Sequence, residues 1–142
     1  MQAKQIQKYQ KKSIAELIKL ATKYFNAYVR KRDSKDGYFV CISCQERKPV
    51  ERMHAGHFLS AGHHGAVRFD ERNVHGQCHH CNTFLHGNIL GYQEGLIAKI
   101  GIKAVQELKQ KSQMRGFRWD RFALIDLITT YQHQVKNYEH ET

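Results

Sequence analysis

Features that would mark a membrane or secreted protein are missing from this 142-residue sequence. No run of about 18 apolar residues occurs, so no membrane-spanning helix is predicted. The N-terminus is rich in Lys and Gln and has no apolar stretch, and we therefore expect no secretory signal. There is only one proline, Pro49, and no low-complexity segment or long repeat. The length predicts one domain, with room for an extended arm.

Acidic residues are also scarce. The chain has 13 Asp and Glu against 23 Lys and Arg, which gives a formal net charge of +10. A balance this basic favours a polyanionic partner, and nucleic acid is the first interpretation. An anionic membrane surface and plain solubility are the alternatives. The hydrophobic content of 41% is enough for a modest core.

The four cysteines fall in two Cys-x-x-Cys pairs, Cys41 with Cys44 and Cys78 with Cys81, separated by 33 residues. Two-residue gaps let each pair grip one side of a tetrahedral zinc ion. Without a secretory signal we expect a reducing compartment, where such pairs indicate metal more often than a disulfide. A redox dithiol or a disulfide pair is the alternative. A structural zinc would supplement the core and pin the intervening loop at both ends.

The N-terminal part is predicted to be helical. Residues 1–32 hold nine Lys or Arg and a single acid, Glu16. Apolar residues recur at helical spacing, which predicts one long basic amphipathic helix over residues 3–31. It could pack on the zinc-binding part, or it could lie as an arm along a phosphate backbone.

The remaining pattern predicts an α+β fold. Strands are expected at 38–40, 53–60 and 66–69, with a Gly-His-His-Gly loop joining the last two. Helices are expected from near the second cysteine pair to residue 85 and at 88–100, 102–113 and 118–138. We divide the chain into a basic helical arm (1–36), a zinc-stapled core (37–101) and C-terminal helices (102–142).

Two strands followed by a helix, with a His on the first strand and an Asn before the helix, are the layout of a ββα-metal (HNH-like) nuclease site. His57 and Asn73 hold those positions. A neutral imidazole suits the general base of phosphodiester hydrolysis, and Asn73 would bond backbone across the loop. Asn82 follows Cys81 directly, and its amide oxygen suits Mg²⁺ or Mn²⁺. His86, four residues on, would share that helix face.

The motifs Cys-Ile-Ser-Cys, His-Ala-Gly-His-Phe, Arg-Phe-Asp-Glu-Arg-Asn, Gln-Cys-His-His-Cys-Asn-Thr-Phe-Leu and Gly-Asn resemble those of the NinG (Rap) family of lambdoid phages. The resemblance covers roughly residues 38–100. It implies a recombination endonuclease that cuts branched DNA such as Holliday junctions and D-loops, encoded by a phage and acting in the bacterial cytoplasm. A looser similarity links the chain to phage endonuclease VII. By matching position, zinc would bind the four cysteines, His57 would be the base and Asn82 a ligand of the catalytic metal.

One position departs from the wider nuclease pattern. An acidic metal ligand usually precedes the base, and here that position is Gly56. Either another residue replaces this ligand, with His54, His75, His86 and Asp70 as candidates, or the metal is held more loosely. Alternatively, His57 itself contacts the metal and another group is the base. We interpret His63, His64, His79 and His80 as surface or phosphate-contacting residues rather than metal ligands.

Junction resolution needs two nicks on opposing strands, so we expect a homodimer. The other interpretations are a restriction-type HNH nuclease on duplex DNA and a non-catalytic zinc DNA-binding module. The residues expected to contact DNA are all basic and lie in the N-terminal part or near the active loop: Lys4, Lys8, Lys11, Lys12, Arg30, Lys31, Arg32, Arg68 and Arg72.

Overall fold

The computed structural model describes residues 3–140, apart from the side chain of His140. In chain order the helices and strands are α1 (Ala3–Lys8), α2 (Ile14–Asp33), β1 (Ser34–Lys35), β2 (Tyr38–Val40), β3 (Arg47–Pro49), β4 (Met53–His57), β5 (Val74–Cys78), α3 (Ile89–Ile100), α4 (Ile102–Ser112) and α5 (Arg121–His140). Short 3₁₀ turns lie at Val50–Arg52 and Gly65–Val67, and a π-helical turn lies at His80–Phe84. The predicted α+β class is confirmed.

The strands form two small antiparallel sheets. One has the order β1-β2-β3, and the other pairs β4 with β5 so that Met53 lies opposite Cys78 and His57 opposite Val74. The predicted strands at 38–40 and 53–60 are confirmed, although the second ends at His57. The predicted strand at 66–69 is wrong. That segment begins with a 3₁₀ turn, and the partner of β4 is β5, whose residues are all buried and so lack the alternation that marks a strand.

The predicted helix over 3–31 is confirmed from Ile14, where α2 begins, but residues 9–13 are not helical and separate α1 from α2. Ser13 caps α2: its Oγ accepts from the N–H of Glu16 (3.1 Å), and the Glu16 carboxylate accepts from the N–H of Ser13 (3.3 Å). This reciprocal capping box starts a new helix at Ile14.

Helices α2 and α5 share the larger core. One buried cluster contains apolar side chains from both helices. It includes Leu17, Ala21 and Phe25 from α2, and Leu124, Ile125, Ile128 and Tyr131 from α5. The ring centroids of Phe25 and Tyr131 are 4.9 Å apart, and the two rings meet edge to face. Val74 of β5 belongs to the same cluster, so α2 packs against the part of the chain that carries the cysteines. This packing was one of the two roles predicted for the N-terminal helix. The predicted boundaries at 36/37 and 101/102 stay a prediction.

A second core lies around α3 and α4. Tyr92 and Leu96 of α3 pack with Val105 and Leu108 of α4, and with Phe58 from the loop after β4. The predicted helices at 88–100, 102–113 and 118–138 are confirmed to within a few residues. Among residues 3–140, no helix combines the length and apolarity needed to span a bilayer.

Candidate metal centre and active site

Four cysteine side chains converge where β2 and β5 end. Cys41 and Cys44 lie in the turn after β2, Cys78 is the last residue of β5 and Cys81 lies in the π-helical turn. Their four sulphur atoms all lie within 4.8 Å of one another. The sulphurs of Cys44 and Cys78 are 3.9 Å apart, close to the roughly 3.8 Å edge of a tetrahedron with about 2.3 Å zinc–sulphur bonds. The cluster can therefore hold one zinc ion.

Backbone amides and burial pull the thiol pKa values apart. Burial acts to raise the pKa of Cys41, but N–H groups of Cys44 and Cys78 pointing at its sulphur (3.5 and 3.3 Å) outweigh burial and lower it. Burial raises the pKa of Cys81 to about 12. A zinc ion bound here would supply positive charge that favours the thiolate form of its ligands.

His57 is the last residue of β4, and its ring is held by the loop between β4 and β5. Nε2 donates to the backbone carbonyl of Arg68 at 3.0 Å. In the neutral ring this bond leaves the lone pair on Nδ1. Burial lowers the pKa of His57, and the charge of Arg68 adds to this while the hydrogen bond opposes it. The lowered pKa favours the neutral ring, which is the form that a general base needs.

Asn73 fastens this loop to the end of β4. The side chain is fully buried. Its Oδ1 accepts from the N–H of Leu59 (2.8 Å), and its Nδ2 donates to the carbonyls of Leu59 (2.9 Å) and Val67 (3.1 Å). Its own carbonyl accepts from the N–H of Phe58, next to His57. These are the backbone bonds across the loop that the sequence predicts for Asn73. They fix both ends of the segment between His57 and Arg68.

Asn82 and His86 do not share a helix face. Asn82 lies, half-buried, in the π-helical turn, which ends at Phe84 rather than continuing as the predicted helix to residue 85. His86, Gly87 and Asn88 follow with positive φ angles of 50°, 92° and 40°. The exposed His86 therefore sits on a left-handed bend. No hydrogen bond described within residues 3–140 joins Asn82 to His57 or to His86.

Gly56 lacks a side chain for a structural reason. A β-carbon at this position would collide with Oε1 of the buried Gln77. The Gln77 amide is fixed because Nε2 donates to Oγ of Ser43 (2.9 Å) and to the carbonyl of Gly87 (2.6 Å). The hydroxyl of Tyr92 donates to the Gly56 carbonyl at 2.7 Å. Sequence reasoning missed both Gln77 and Tyr92, although a glycine within a strand is a sign of close approach by another group.

The ring of His75, a candidate metal ligand, is occupied on both sides. Nε2 donates to the carbonyl of Arg72 (2.9 Å), while Nδ1 accepts from Lys99 (2.9 Å) and Arg32 (3.2 Å). Burial, together with those two cations, lowers the pKa of His75 to about 4. In this conformation neither nitrogen is open to a metal, and His75 ties α2 and α3 to β5.

The carboxylate of Asp70, another candidate, is held by two cations. Arg72 binds both of its oxygens (3.1 and 2.9 Å), and Lys111 donates to one of them (3.0 Å). Burial acts to raise the pKa of Asp70, but these hydrogen bonds outweigh it and lower the pKa to about 2. In this conformation the carboxylate serves an ion-pair network rather than a metal.

The candidate ligand His54 lies beside a second, exposed imidazole, that of His79. Its Nε2 lies 3.0 Å from Nδ1 of His79, and the two rings stack with centroids 5.1 Å apart. The pair faces a surface cleft of about 350 Å³ that Lys48 and Arg52 also line. Burial, with His79 and Arg30 nearby, lowers the pKa of His54.

The residues predicted to contact DNA divide into two groups. Arg32 and Arg72 are only partly exposed and form ion pairs with Asp33 and Asp70, and the half-buried Arg68 packs on the Phe69 ring. The exposed members are Lys4, Lys8, Lys11, Lys12, Arg30 and Lys31. Arg30 and Lys31 also line a groove of about 450 Å³ along α2.

Comparison with known proteins identifies relatives over most of the chain. A family described as Bacteriophage Lambda NinG protein matches residues 1–141. The protein ninG of Salmonella phage P22 is 36% identical over 120 residues, covering 84% of this chain and 56% of the relative. That of Escherichia phage lambda is 34% identical over 120 residues, with the same coverage. The chain spans about half the length of these relatives. No solved structure matches it.

Proposed function

We propose, since this chain belongs to the NinG family of bacteriophage proteins, that it is a metal-dependent endonuclease that cuts branched recombination intermediates such as Holliday junctions and D-loops. The observation that carries the proposal is the geometry of His57. The half-buried imidazole is bonded through Nε2 to the Arg68 carbonyl, which leaves the lone pair of the neutral ring on Nδ1, and burial lowers its pKa in favour of that form. A base poised in this way can take a proton from a water that attacks phosphorus.

The other residues of the centre have supporting roles in this proposal. Asn73 holds the backbone that fixes the orientation of His57. The oxygen of Asn82 is a ligand for Mg²⁺ or Mn²⁺, with His54, His57 and His86 as further candidates. When bound, such an ion neutralises charge on the phosphate and on the leaving oxygen. The four cysteines hold a structural zinc that fixes the end of β5 and the turn carrying Asn82.

Charge supports DNA as the substrate. The net charge is +10, and an exposed set of lysines and arginines lies on α1, on α2 and between them. Contacts to phosphates give affinity without sequence preference, which suits an enzyme that recognises branch shape. The preference for branched DNA, the homodimer that paired nicks require and the site of action in the host cytoplasm rest on the family resemblance and on symmetry.

The test compares cleavage of a four-way junction, a flap and a linear duplex of matched sequence. Each is incubated with Mg²⁺ or Mn²⁺ and, separately, with a chelator. The proposal predicts metal-dependent nicks close to the branch point and little cutting of the duplex. Equal cutting of all three substrates would indicate a restriction-type nuclease instead. Tight binding without any cutting would indicate a zinc DNA-binding module.

A further inference from the structure

No hydrogen bond described within residues 3–140 joins His54 or His79 to His57, and the contact between His54 and His79 faces a surface cleft that His57 does not line. His54 lies on β4 opposite Gln77 in the strand register, and His79 directly follows the last residue of β5. Both rings reach the same cleft, and His79 is exposed. We propose that His54 and His79 together bind a divalent transition-metal ion, separately from the four-cysteine cluster.

The separation of the two nitrogens supports a shared metal. Nε2 of His54 and Nδ1 of His79 are 3.0 Å apart. Two nitrogens at this separation, each about 2.1 Å from one ion, subtend about 90° at the ion. That is the angle between neighbouring ligands in octahedral coordination, whereas a tetrahedral ion would hold them about 3.4 Å apart. The pair therefore suits a six-coordinate ion.

The surroundings provide room for the remaining ligands. The hydroxyl of Thr83 lies 3.4 Å from Nδ1 of His79, and Glu51 is an acid that lines the same cleft. Lys48 and Arg52 on its walls would attract a phosphate to an ion bound there. Imidazole ligands favour Co²⁺ or Ni²⁺ over Mg²⁺ and Mn²⁺, which prefer oxygen.

This site stands independently of the proposed nuclease activity, because two imidazoles can bind a metal whether or not the chain cuts DNA. The competing explanation is a simple hydrogen bond between the two rings, with one nitrogen as donor. The two explanations differ in whether a second metal ion binds at all.

The experiment is a calorimetric titration of Ni²⁺ into the tag-free, zinc-loaded protein, with zinc measured before and after. We expect one Ni²⁺ per chain and no loss of zinc. Because losing an outer-shell partner already costs about 10–100-fold in metal affinity, His54→Ala and His79→Ala should each weaken Ni²⁺ binding by about 100-fold or more.

His80→Ala is the matched control, since His80 lines the same cleft but no hydrogen bond described within residues 3–140 joins its ring to His54 or His79. It should bind Ni²⁺ as the wild type does. No Ni²⁺ binding by the wild type, undiminished binding by His54→Ala and His79→Ala, or an equal loss in His80→Ala would each overturn the proposal. His79 is exposed, so its substitution tests the site even if His54→Ala folds poorly.

Discussion

The amide oxygen of Gln77 occupies the space that a β-carbon on residue 56 would need. Gly56 and Gln77 therefore form a steric pair across β4 and β5. An acidic side chain could not enter this position without displacing an amide that two hydrogen bonds hold in place. The lack of a side chain at residue 56 is thus built into the packing of β4 against β5.

An acidic residue at position 56 should destabilise the fold. Gly56→Asp should lower the free energy of unfolding by about 1–3 kcal/mol or more, because it overpacks a closed site and buries a charge. Thermal unfolding of the zinc-loaded protein measures this. Gly62→Asp is the control, because nothing lies within 4 Å of a β-carbon there. Equal stability of the two variants would contradict the steric account.

The four-cysteine cluster should carry one zinc ion that the fold requires. Replacing Cys41 or Cys78 by Ser should release the zinc and unfold the core, since such sites contribute on the order of 10 kcal/mol in small domains. Elemental analysis and circular dichroism measure the two effects. A folded, zinc-free wild-type protein would refute this prediction.

Acid should destabilise the protein through His75. Its pKa is about 4 in the folded state, against an ordinary 6.5 when exposed. The unfolded chain therefore binds the proton more tightly, and stability falls as the pH drops from about 6.5 towards 4. The full effect is about 3 kcal/mol. Chemical denaturation across this range, with zinc monitored, measures the slope.

A His75→Gln variant separates this effect from other titrations. It should be less stable than the wild type at pH 7, because His75 bridges Arg72, Lys99 and Arg32. Its stability should nevertheless fall less steeply between pH 6.5 and 4. An unchanged slope would assign the acid sensitivity to other groups, such as His57 or the cysteine thiols.

DNA affinity should depend on salt through the N-terminal lysines. Replacing Lys4, Lys8, Lys11 and Lys12 by Ala should flatten the slope of log affinity against log salt by up to about 3.6, at about 0.9 per phosphate contact. Substitution is preferable to deletion, because Tyr9 is buried in the core and its carbonyl accepts from Arg121.

Arg72→Ala provides the comparison for this series, since Asp70 and Glu107 engage its guanidinium within the protein. It should change the salt slope little. If the four lysine substitutions left the salt slope unchanged while Arg72→Ala reduced it markedly, the DNA contacts would lie at the active loop rather than in the N-terminal part.

Local patterns in the sequence predicted much of the fold. The gaps within each cysteine pair led to a cluster that the structure brings together, and helical periodicity located α3, α4 and α5. Asn73 was expected to bond backbone across its loop, and it does. Each of these features depends on residues close together in sequence or on a strong spacing rule.

The failures have physical causes. The capping box at Ser13 starts α2 at Ile14, so the helix prediction extended too far towards the N-terminus. The strand β5 has no alternation because both of its faces are buried. The ring of His75 is bonded to Lys99, and the carboxylate of Asp70 is bonded to Lys111. Both lysines lie far away in the sequence from their partners. Such long-range contacts leave no local signal.

The central claim is that His57 is the base of a DNA-cutting centre. The most direct measurement is single-turnover cleavage of a four-way junction with Mn²⁺ by the wild type and by His57→Ala, alongside junction affinity. We expect cleavage to fall by about 10²–10⁴-fold while affinity changes little, because a base acts on the transition state. Normal cleavage by zinc-loaded His57→Ala would contradict the account.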